Sequence, residues 1–358
     1  MDWRVARGPA AGLLACVGVA LVARATGSAL QLGLETAIAL VLGLTVGAVG
    51  PVRTAVLPGA SLAARYALRA GIILLGARLT LGQLLATGAG SVVGIVVVVA
   101  IALVLGTLLA RRFGLVPPLS ALVTVGMAIC GNSAILALSP IISAKPRDTA
   151  YAVSTITTFG LLGVVLLPVI GRLLALPDPV FGTWAGLAVN DTAQVVATGY
   201  AYTPAAGDVA TVVKLTRNLA ILPVLLGAAW LVARSATADG ERPVERSRVA
   251  MVSRAIPWFV VGFVVVAGLR SAGLLDTTLP GGGTLADLCA TLATLLILLA
   301  LAGVGMSTDV RSVAGVGARP FLLGASMWMV IGLLGLIVAD MVADPTAATS
   351  ATARLYPI

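Results

Sequence analysis

The sequence predicts an all-α integral membrane protein with about nine to eleven transmembrane elements and inverted repeats. Three observations support this fold class. Hydrophobic residues make up 59% and charged residues 10% of the 358 residues, with a mean hydropathy of +1.08. Apolar runs of roughly 20 residues, the length needed to cross a bilayer, recur along the chain. Polar residues interrupt two further apolar segments, which we expect to be re-entrant or broken helices that meet near the membrane midplane.

The composition also excludes several classes of protein. A soluble domain has about 25% charged residues, so residues 1–358 are predicted to form one polytopic membrane domain. The net charge of +9 comes from basic residues that lie singly between apolar runs, which predicts no nucleic-acid partner. Histidine is absent, and three scattered cysteines form no metal-binding spacing, so neither a metal site nor a cofactor is predicted.

In chain order, nine uninterrupted apolar runs are candidate transmembrane helices, at 10–24, 30–50, 68–86, 91–110, 149–171, 209–233, 255–272, 284–303 and 320–341. The first run is as short as the core of a signal peptide. No Ala-x-Ala-like cleavage site precedes the next run, so we expect the first to remain as a helix. The two interrupted segments are 117–144 and 179–203.

Basic residues predict the orientation in the membrane, because cytoplasmic loops are enriched in Lys and Arg. With a cytoplasmic N-terminus, the same side receives a basic polar linker at 234–254 and nine other arginines, namely Arg4, Arg7, Arg53, Arg65, Arg69, Arg111, Arg112, Arg311 and Arg319. The predicted location is therefore the bacterial inner membrane, with several passes.

The path of the two interrupted segments stays open. As re-entrant hairpins, the first leaves Lys145 and Arg147 inside and Arg172 outside. As broken crossing helices, these assignments are exchanged. The charge rule favours hairpins only weakly.

Two internal similarities predict inverted repeats over about 68–171 and 179–341. Residues 131–168 resemble 189–226 at an offset of 58, which aligns Asn132-Ser133-Ala134 with Asn190-Asp191-Thr192. The run GARLTLGQLLATGAG at 76–90 resembles GVGMSTDVRSVAGVG at 303–317. The Arg78–Thr80 and Ser307–Asp309 segments within these runs are interpreted as ordinary helix ends.

The interruptions themselves are candidate binding elements. Gly131 permits a turn, and Asn132, Ser133, Asn190 and Thr192 are of the types that cap helix N-termini. Two half-helix N-termini at mid-membrane would present free N–H groups to an anion. The alternative is that these residues only cap tightly packed helices.

The run TVVKLTRN at 211–218 predicts a polar helical face inside the membrane. Lys214, Arg217 and Asn218 stand at i, i+3 and i+4. Buried charges of this kind normally face a partner or a cavity, so we expect substrate contact. The alternatives are snorkelling of Lys214 and a permanent ion pair with Asp191.

Asp191 is the acidic residue at a predicted tip. It is a candidate coupling residue, either as a proton carrier or as a partner that competes with the anion for the cations. Gln194, one turn later, is a candidate substrate ligand, with satisfaction of a backbone group as the alternative.

Three runs in order, GMAICGNSAILALSPII, GLAVNDTAQVVATG and VVKLTRN, resemble the YeiH-like family of bacterial inner-membrane proteins. The resemblance covers nearly the whole chain. It implies a secondary transporter of about ten to eleven spans, proposed to export sulphate or a related sulphur oxyanion. The family signature falls on Gly131, Asn132, Ser133, Asn190, Asp191, Gln194, Lys214 and Arg217.

The sequence therefore predicts a secondary anion transporter, most simply a sulphate exporter, working by alternating access, and not an enzyme. A transporter of small carboxylates or organosulphonates is the nearest alternative, followed by an anion channel. Expected partners are the anion and the lipid bilayer, and a homodimer is left open.

Overall fold

A computed structural model describes residues 9–30, 35–238, 258–279, 282–308 and 317–343, and within these ranges the chain is almost entirely helical. Seven of the helices are long and apolar enough to cross a membrane. Two shorter apolar helices and two hairpins bring the described part of the chain to eleven membrane elements, as the sequence predicts. Arg4, Arg7, Asp309, Arg311 and most of the 234–254 linker lie outside the described residues.

The helices are numbered here in chain order. They are α1 (Pro9–Leu30), α2 (Glu35–Ala48), α3 (Gly50–Arg78), α4 (Leu81–Arg112), α5 (Pro117–Ala128), α6 (Asn132–Leu138), α7 (Pro146–Leu173), α8 (Asp178–Ala188), α9 (Thr192–Tyr202), α10 (Pro204–Asn218), α11 (Ile221–Ala238), α12 (Trp258–Ser271), α13 (Leu285–Ser307) and α14 (Ala318–Ala343).

The structure corrects the predicted spans at 68–86 and 91–110. The helix break lies at residues 79–80 instead, where Thr80 starts α4 with a capping box: its hydroxyl accepts from the Gln83 N–H (3.3 Å) while Gln83 Oε1 accepts from the Thr80 N–H (3.0 Å). Residues 50–67, predicted to be largely a cytoplasmic loop, form the first part of α3. Their arginines lowered the local hydropathy and hid this helix from a search for apolar runs.

The α3 helix is not uniform along its length. A π-helical turn spans Ala63–Ala67, and a 3₁₀ turn ends the helix at Gly76–Arg78. Single π turns within α-helices are rare and occur often at functional sites. Arg65 lies within this turn and Arg69 follows it by one helical turn.

Both interrupted segments are re-entrant hairpins. The Phe181 ring, near the start of α8, stacks on the Tyr202 ring at the end of α9, with 3.9 Å between centroids. In the first segment Gly126 of α5 lies directly against the Ile135 side chain of α6. Such contacts form only when the chain turns back at the tip, because nine residues of continuous helix would span about 13 Å.

The two hairpins enter the bundle from opposite ends. They are joined by α7, whose 28 residues span about 42 Å. The helices that follow the hairpins, α7 and α10, begin at Pro146 and Pro204, which are separated by the predicted offset of 58. The hairpin tips meet inside the protein, where Gly131 lies against the backbone carbonyl of Asn190. The second sequence similarity pairs the ends of α3 and α13.

The helices pack into two bundles. The first contains α1, α2, α3, α12 and α13, and the second contains α4 to α11 with α14. Small residues let backbones approach closely inside each bundle. In the first, Gly303 of α13 lies against Ala60 of α3, and in the second, Gly186 of α8 lies against Val213 of α10. Contacts between the bundles are fewer, and they involve mainly α9 with α2 and α4 with α12.

Two ends of the molecule are distinguished below. The basic face is the end where α4 stops and α5 and α7 begin, and it carries Arg111, Arg112, Lys145 and Arg147. The far face is the opposite end, where α3 stops and α8 begins.

Candidate functional site

A cavity of about 470 Å³ lies between the two bundles. Each bundle contributes half of its walls. The polar residues that line it are Arg65, Arg69, Asn132, Ser133, Ser154, Thr157, Asp191, Thr192, Gln194, Ser307 and Thr308. The cavity thus collects both hairpin tips on one side and polar residues of α3 and α13 on the other.

Arg65 and Arg69 are the cationic residues of this lining. They stand four residues apart, so they project from one side of α3 as the helix leaves its π turn. Arg65 is exposed and Arg69 half-buried, and among the described residues neither guanidinium forms a hydrogen bond or an ion pair. Their donors are therefore available to a ligand in the cavity.

The sequence did not predict these two arginines as site residues, because both were expected on the cytoplasmic side, Arg65 in a loop and Arg69 at the start of the predicted span 68–86. The signal was nevertheless present. Two arginines at i and i+4 stand inside AVLPGASLAARYALRAGIILL, residues 55–75, which is long enough for a membrane helix and otherwise almost wholly uncharged. Charges inside a span usually face a cavity or a partner.

The first hairpin tip contributes Asn132 and Ser133. Gly131 precedes them with a φ of +63°, a conformation that glycine adopts without strain. The Asn132 side-chain amide donates to the Thr157 hydroxyl at 3.4 Å, while its Oδ1 has no partner among the described residues. Ser133 is exposed to the cavity.

The second tip contributes Asp191, Thr192 and Gln194. Asp191 caps α9, because its Oδ1 accepts from the Ala193 N–H at 2.9 Å. A carboxylate therefore already occupies this helix N-terminus, which the sequence predicts to bind the anion. Gln194 donates from Nε2 to the Thr157 carbonyl at 3.2 Å. Thr157 of α7 thereby holds side chains of both tips.

Lys214 and Arg217 lie behind the tips and are both fully buried. Lys214 Nζ donates to the carbonyls of Ile129 (3.0 Å) and Val189 (3.1 Å), one from each hairpin. Arg217 Nη2 donates to the Met127 and Ala128 carbonyls, each at 2.9 Å, and Nη1 donates to the Leu187 carbonyl. These carbonyls end α5 and α8, where a helix leaves acceptors unpaired and carries a partial negative charge. The two cations join the hairpins.

The structure thus divides the predicted site residues into two groups. Asn132, Ser133, Asp191, Thr192 and Gln194 line the cavity, whereas the remaining five do not: Gly131, Asn190, Lys214, Arg217 and Asn218. Neither snorkelling of Lys214 nor an ion pair with Asp191 is present, since Lys214 is buried among backbone acceptors.

The two buried amides of the second group support the tips. Asn190 donates from Nδ2 to the Met127 sulphur at 3.0 Å, and Asn218 donates to the Thr192 hydroxyl at 3.5 Å. They connect the tips to α5 and α10. Neither amide is among the described residues that line the cavity.

The cavity extends to the end of α13, on the side of the basic face. Its lining includes Ser307 and Thr308, at the end of α13, which sequence analysis interpreted as an ordinary helix end. From there it reaches inward to the hairpin tips and Arg69. The walls at its inner end also contain apolar side chains, among them Ile72 and Phe259.

The electrostatics of the cavity favour an anion. Among the described residues of the lining, two guanidinium groups face the carboxylate of Asp191, together with hydroxyl and amide groups. Arginine donors in a partly dry cavity bind oxyanions with charge-assisted hydrogen bonds. Among the described residues no group of three or more Cys, Asp or Glu residues could hold a metal ion.

Comparison with known proteins gives consistent matches over nearly the whole chain. Residues 11–324 match the family described as conserved hypothetical protein 698. A UPF0324 membrane protein of Clostridium tetani is 33% identical over 310 residues, covering 85% of this chain and 87% of the relative. One from Ralstonia nicotianae is 34% identical over 334 residues, covering 89% of each chain. No solved structure matches.

Proposed function

This chain belongs to the family of conserved hypothetical protein 698, the YeiH-like or UPF0324 membrane proteins, and from that premise we propose that it is a secondary transporter of a small anion. The substrate we propose is sulphate or a related sulphur oxyanion. The protein would export it across the bacterial inner membrane by alternating access, with the N-terminus in the cytoplasm.

The observation that carries this proposal is the position of Arg65 and Arg69. They face a polar cavity from one bundle while the hairpin tips face it from the other. A site that lies between two bundles can open to one side and then to the other when the bundles rock against each other. Charged residues inside a span that face such a cavity are typical of substrate pathways.

The cavity suggests how the anion is held and released. Arg65 and Arg69 would bind its oxygens, with hydroxyl donors such as Ser133 and Thr192 completing the contacts. Asp191 is half-buried in the same lining and would compete for the guanidinium groups once the anion has left. Exchange of a proton or another ion at Asp191 would then couple transport to an ion gradient.

The proposed export needs a site that the anion can enter from the cytoplasm. The cavity extends to the end of α13, on the side of the basic face, which the positive-inside rule assigns to the cytoplasm. A cavity on that side can accept the anion from the cytoplasm, as the first step of export requires.

The test is flux of radiolabelled sulphate in proteoliposomes. We expect Arg65→Gln and Arg69→Gln each to reduce flux by about tenfold or more, since a hydrogen bond to a charged group contributes about 1.5–3 kcal/mol. Arg112→Gln, at the exposed end of α4, is the matched control and should leave flux unchanged. If both cavity variants transport sulphate at the wild-type rate, the proposed site is wrong.

A transporter of small organosulphonates or carboxylates is a second candidate, favoured by the size and walls of the cavity. Its volume of about 470 Å³ falls within the range of about 300–1,000 Å³ that is usual for organic ligands. Its inner wall also carries Ile72 and Phe259, which could contact an apolar group. Competition of sulphate flux by sulphite, methanesulphonate and acetate separates the two candidates, because an organic substrate would compete more strongly than sulphite.

A further inference from the structure

Three polar side chains form a cluster near the far face, away from the cavity. Arg78 Nη1 lies 3.6 Å from Asp208 Oδ1. The Tyr200 hydroxyl donates a short hydrogen bond to the same Asp208 oxygen, and the Arg78 guanidinium lies over the Tyr200 ring, 5.6 Å from its centroid. The Arg78 and Asp208 side chains are only 26% and 19% exposed, so the pair is partly shielded from water.

This cluster joins the two bundles. Arg78 ends α3 of the first bundle, whereas Tyr200 and Asp208 lie on α9 and α10 of the second. Arg78 is nine residues beyond Arg69, which corresponds to about 13 Å along the helix axis. One helix therefore carries the cavity arginines at mid-depth and a bridging arginine at its far end.

The interface around the cluster is closed. The Thr36 hydroxyl of α2 donates to the Ala197 carbonyl of α9 at 3.2 Å, and both groups are buried. Leu40 and Leu75 of the first bundle pack in one buried cluster with Val196 of the second. Among the described residues the bundles are thus in contact on the far side of the cavity, while toward the basic face the cavity lies between them.

We propose that Arg78, Asp208 and Tyr200 form a latch that holds the far side closed while the cavity is open to the basic face. The inference rests on the alternating access of the proposed function. To open the far side, the bundles must separate at this cluster, and Asp208 must then lose its cationic partner. Loss of one member should therefore favour the conformation that is open to the far face.

The latch is tested by thiol labelling from each side of the membrane. The reporter is Ser133→Cys in a background with Cys16, Cys130 and Cys289 replaced by alanine, and the probe is a membrane-impermeant maleimide. We expect Arg78→Gln and Asp208→Asn to lower the labelling rate from the basic face about tenfold, which corresponds to about 1.4 kcal/mol. They should also produce labelling from the far face.

Three further variants make the result decisive. Arg172→Gln is the matched control, because Arg172 also lies near the far face but donates to the Ala201 carbonyl within its own bundle; its labelling should not change. Tyr200→Phe keeps the ring and should shift labelling in the same direction by less. The exchange of Arg78→Asp with Asp208→Arg should restore much of the original pattern.

The outcome that overturns the latch is unchanged labelling from both faces in Arg78→Gln and Tyr200→Phe proteins that melt near the wild-type temperature. Labelling needs no substrate, so it is independent of the anion. If the latch variants shift labelling while no anion is transported by the wild type, the proposed function fails and the latch stands. If sulphate is transported and labelling does not shift, the latch is wrong and the proposed function stands.

Discussion

At the scale of single residues, two pairs of cationic side chains have different surroundings. Lys214 and Arg217 are fully buried and donate to backbone carbonyls, while Arg65 and Arg69 border a cavity and form no hydrogen bond or ion pair among the described residues. A buried charge that already has all its partners stabilises the native arrangement, and breaking it is costly. A charge without partners beside a cavity can bind a ligand. The two pairs should therefore respond differently to mutation.

Lys214→Met should reduce stability regardless of substrate. The change removes the Lys214 donor from the Ile129 and Val189 carbonyls and leaves Val189 with a 3.4 Å contact from Arg217 Nη1, and a buried acceptor left without a donor costs about 1–3 kcal/mol. We expect a clearly lower melting temperature in detergent, with the same decrease in the presence and absence of sulphate. Lys145→Met, at an exposed position before α7, is the matched control and should melt like the wild type. A Lys214→Met protein of native stability would contradict the structural role.

The residue scale also shows where sequence reasoning succeeds and where it stops. Asn132, Ser133, Asp191 and Gln194 could be predicted as polar residues at the interruptions, because they stand in apolar runs and the offset of 58 aligns the two tips. The role of Lys214 could not, because its acceptors lie 85 and 25 residues away and only the fold brings them together.

At the scale of elements, the close approach of α8 and α10 fixes the second hairpin. A Cβ atom at Gly186 would lie 2.8 Å from the Val213 Cβ and 3.0 Å from the Ala210 carbonyl oxygen. Backbones at this distance need small residues between them. Such contacts hold the hairpin tip, so the position of Asp191 depends on Gly186, more than one helical turn earlier in the chain.

Gly186→Val should therefore destabilise the protein and reduce transport together. Overpacking of a close interface costs about 1–3 kcal/mol, and the shift would displace the tip from the cavity. Gly227→Val is the matched control: it lies on α11, and a Cβ there meets nothing within 4 Å. Thermal unfolding and sulphate flux measure both effects. Equal behaviour of the two variants would show that the α8–α10 contact is not needed.

The repeat offset was predicted correctly, the path of the two interrupted segments was left open, and the start of α3 was predicted incorrectly. The offset of 58 found in the sequence corresponds to the real starts of α7 and α10, because the repeat preserves Pro at the first helical position of each. The search for apolar runs failed for α3, because arginines that face a cavity lower the mean hydropathy of a helix that still crosses the membrane.

At the scale of the whole molecule, the asymmetry between the two faces is the main finding. The bundles are separated by the cavity toward the basic face and packed together toward the far face. The sequence could predict inverted hairpins but not this asymmetry, because both halves of an inverted repeat carry similar patterns. Which side is open depends on how the two bundles pack against each other. The residue pairs that connect the bundles, such as Thr36 with Ala197, are far apart in the chain.

The open side gives a direct prediction about orientation in the cell. Thr308 lies at the rim of the cavity where α13 ends, so a cysteine there should be accessible from the compartment that the cavity faces. We expect Thr308→Cys, in the cysteine-free background, to react with a membrane-impermeant maleimide in inside-out vesicles and only weakly in right-side-out vesicles.

A control on the opposite end fixes the comparison. Thr277→Cys lies in the loop between α12 and α13 at the far face and should show the reverse preference. The end of α12 lies at that face because the Ser271 hydroxyl accepts from the Leu81 N–H at the start of α4.

Both cysteines reacting from one side would contradict the topology. If each reacts from its own side but Thr308→Cys prefers right-side-out vesicles, the cavity faces outward and the proposed loading of the anion from the cytoplasm is wrong. Because the positive-inside rule assigns the basic face to the cytoplasm, this single experiment tests both the orientation of the protein and the compartment that the cavity faces.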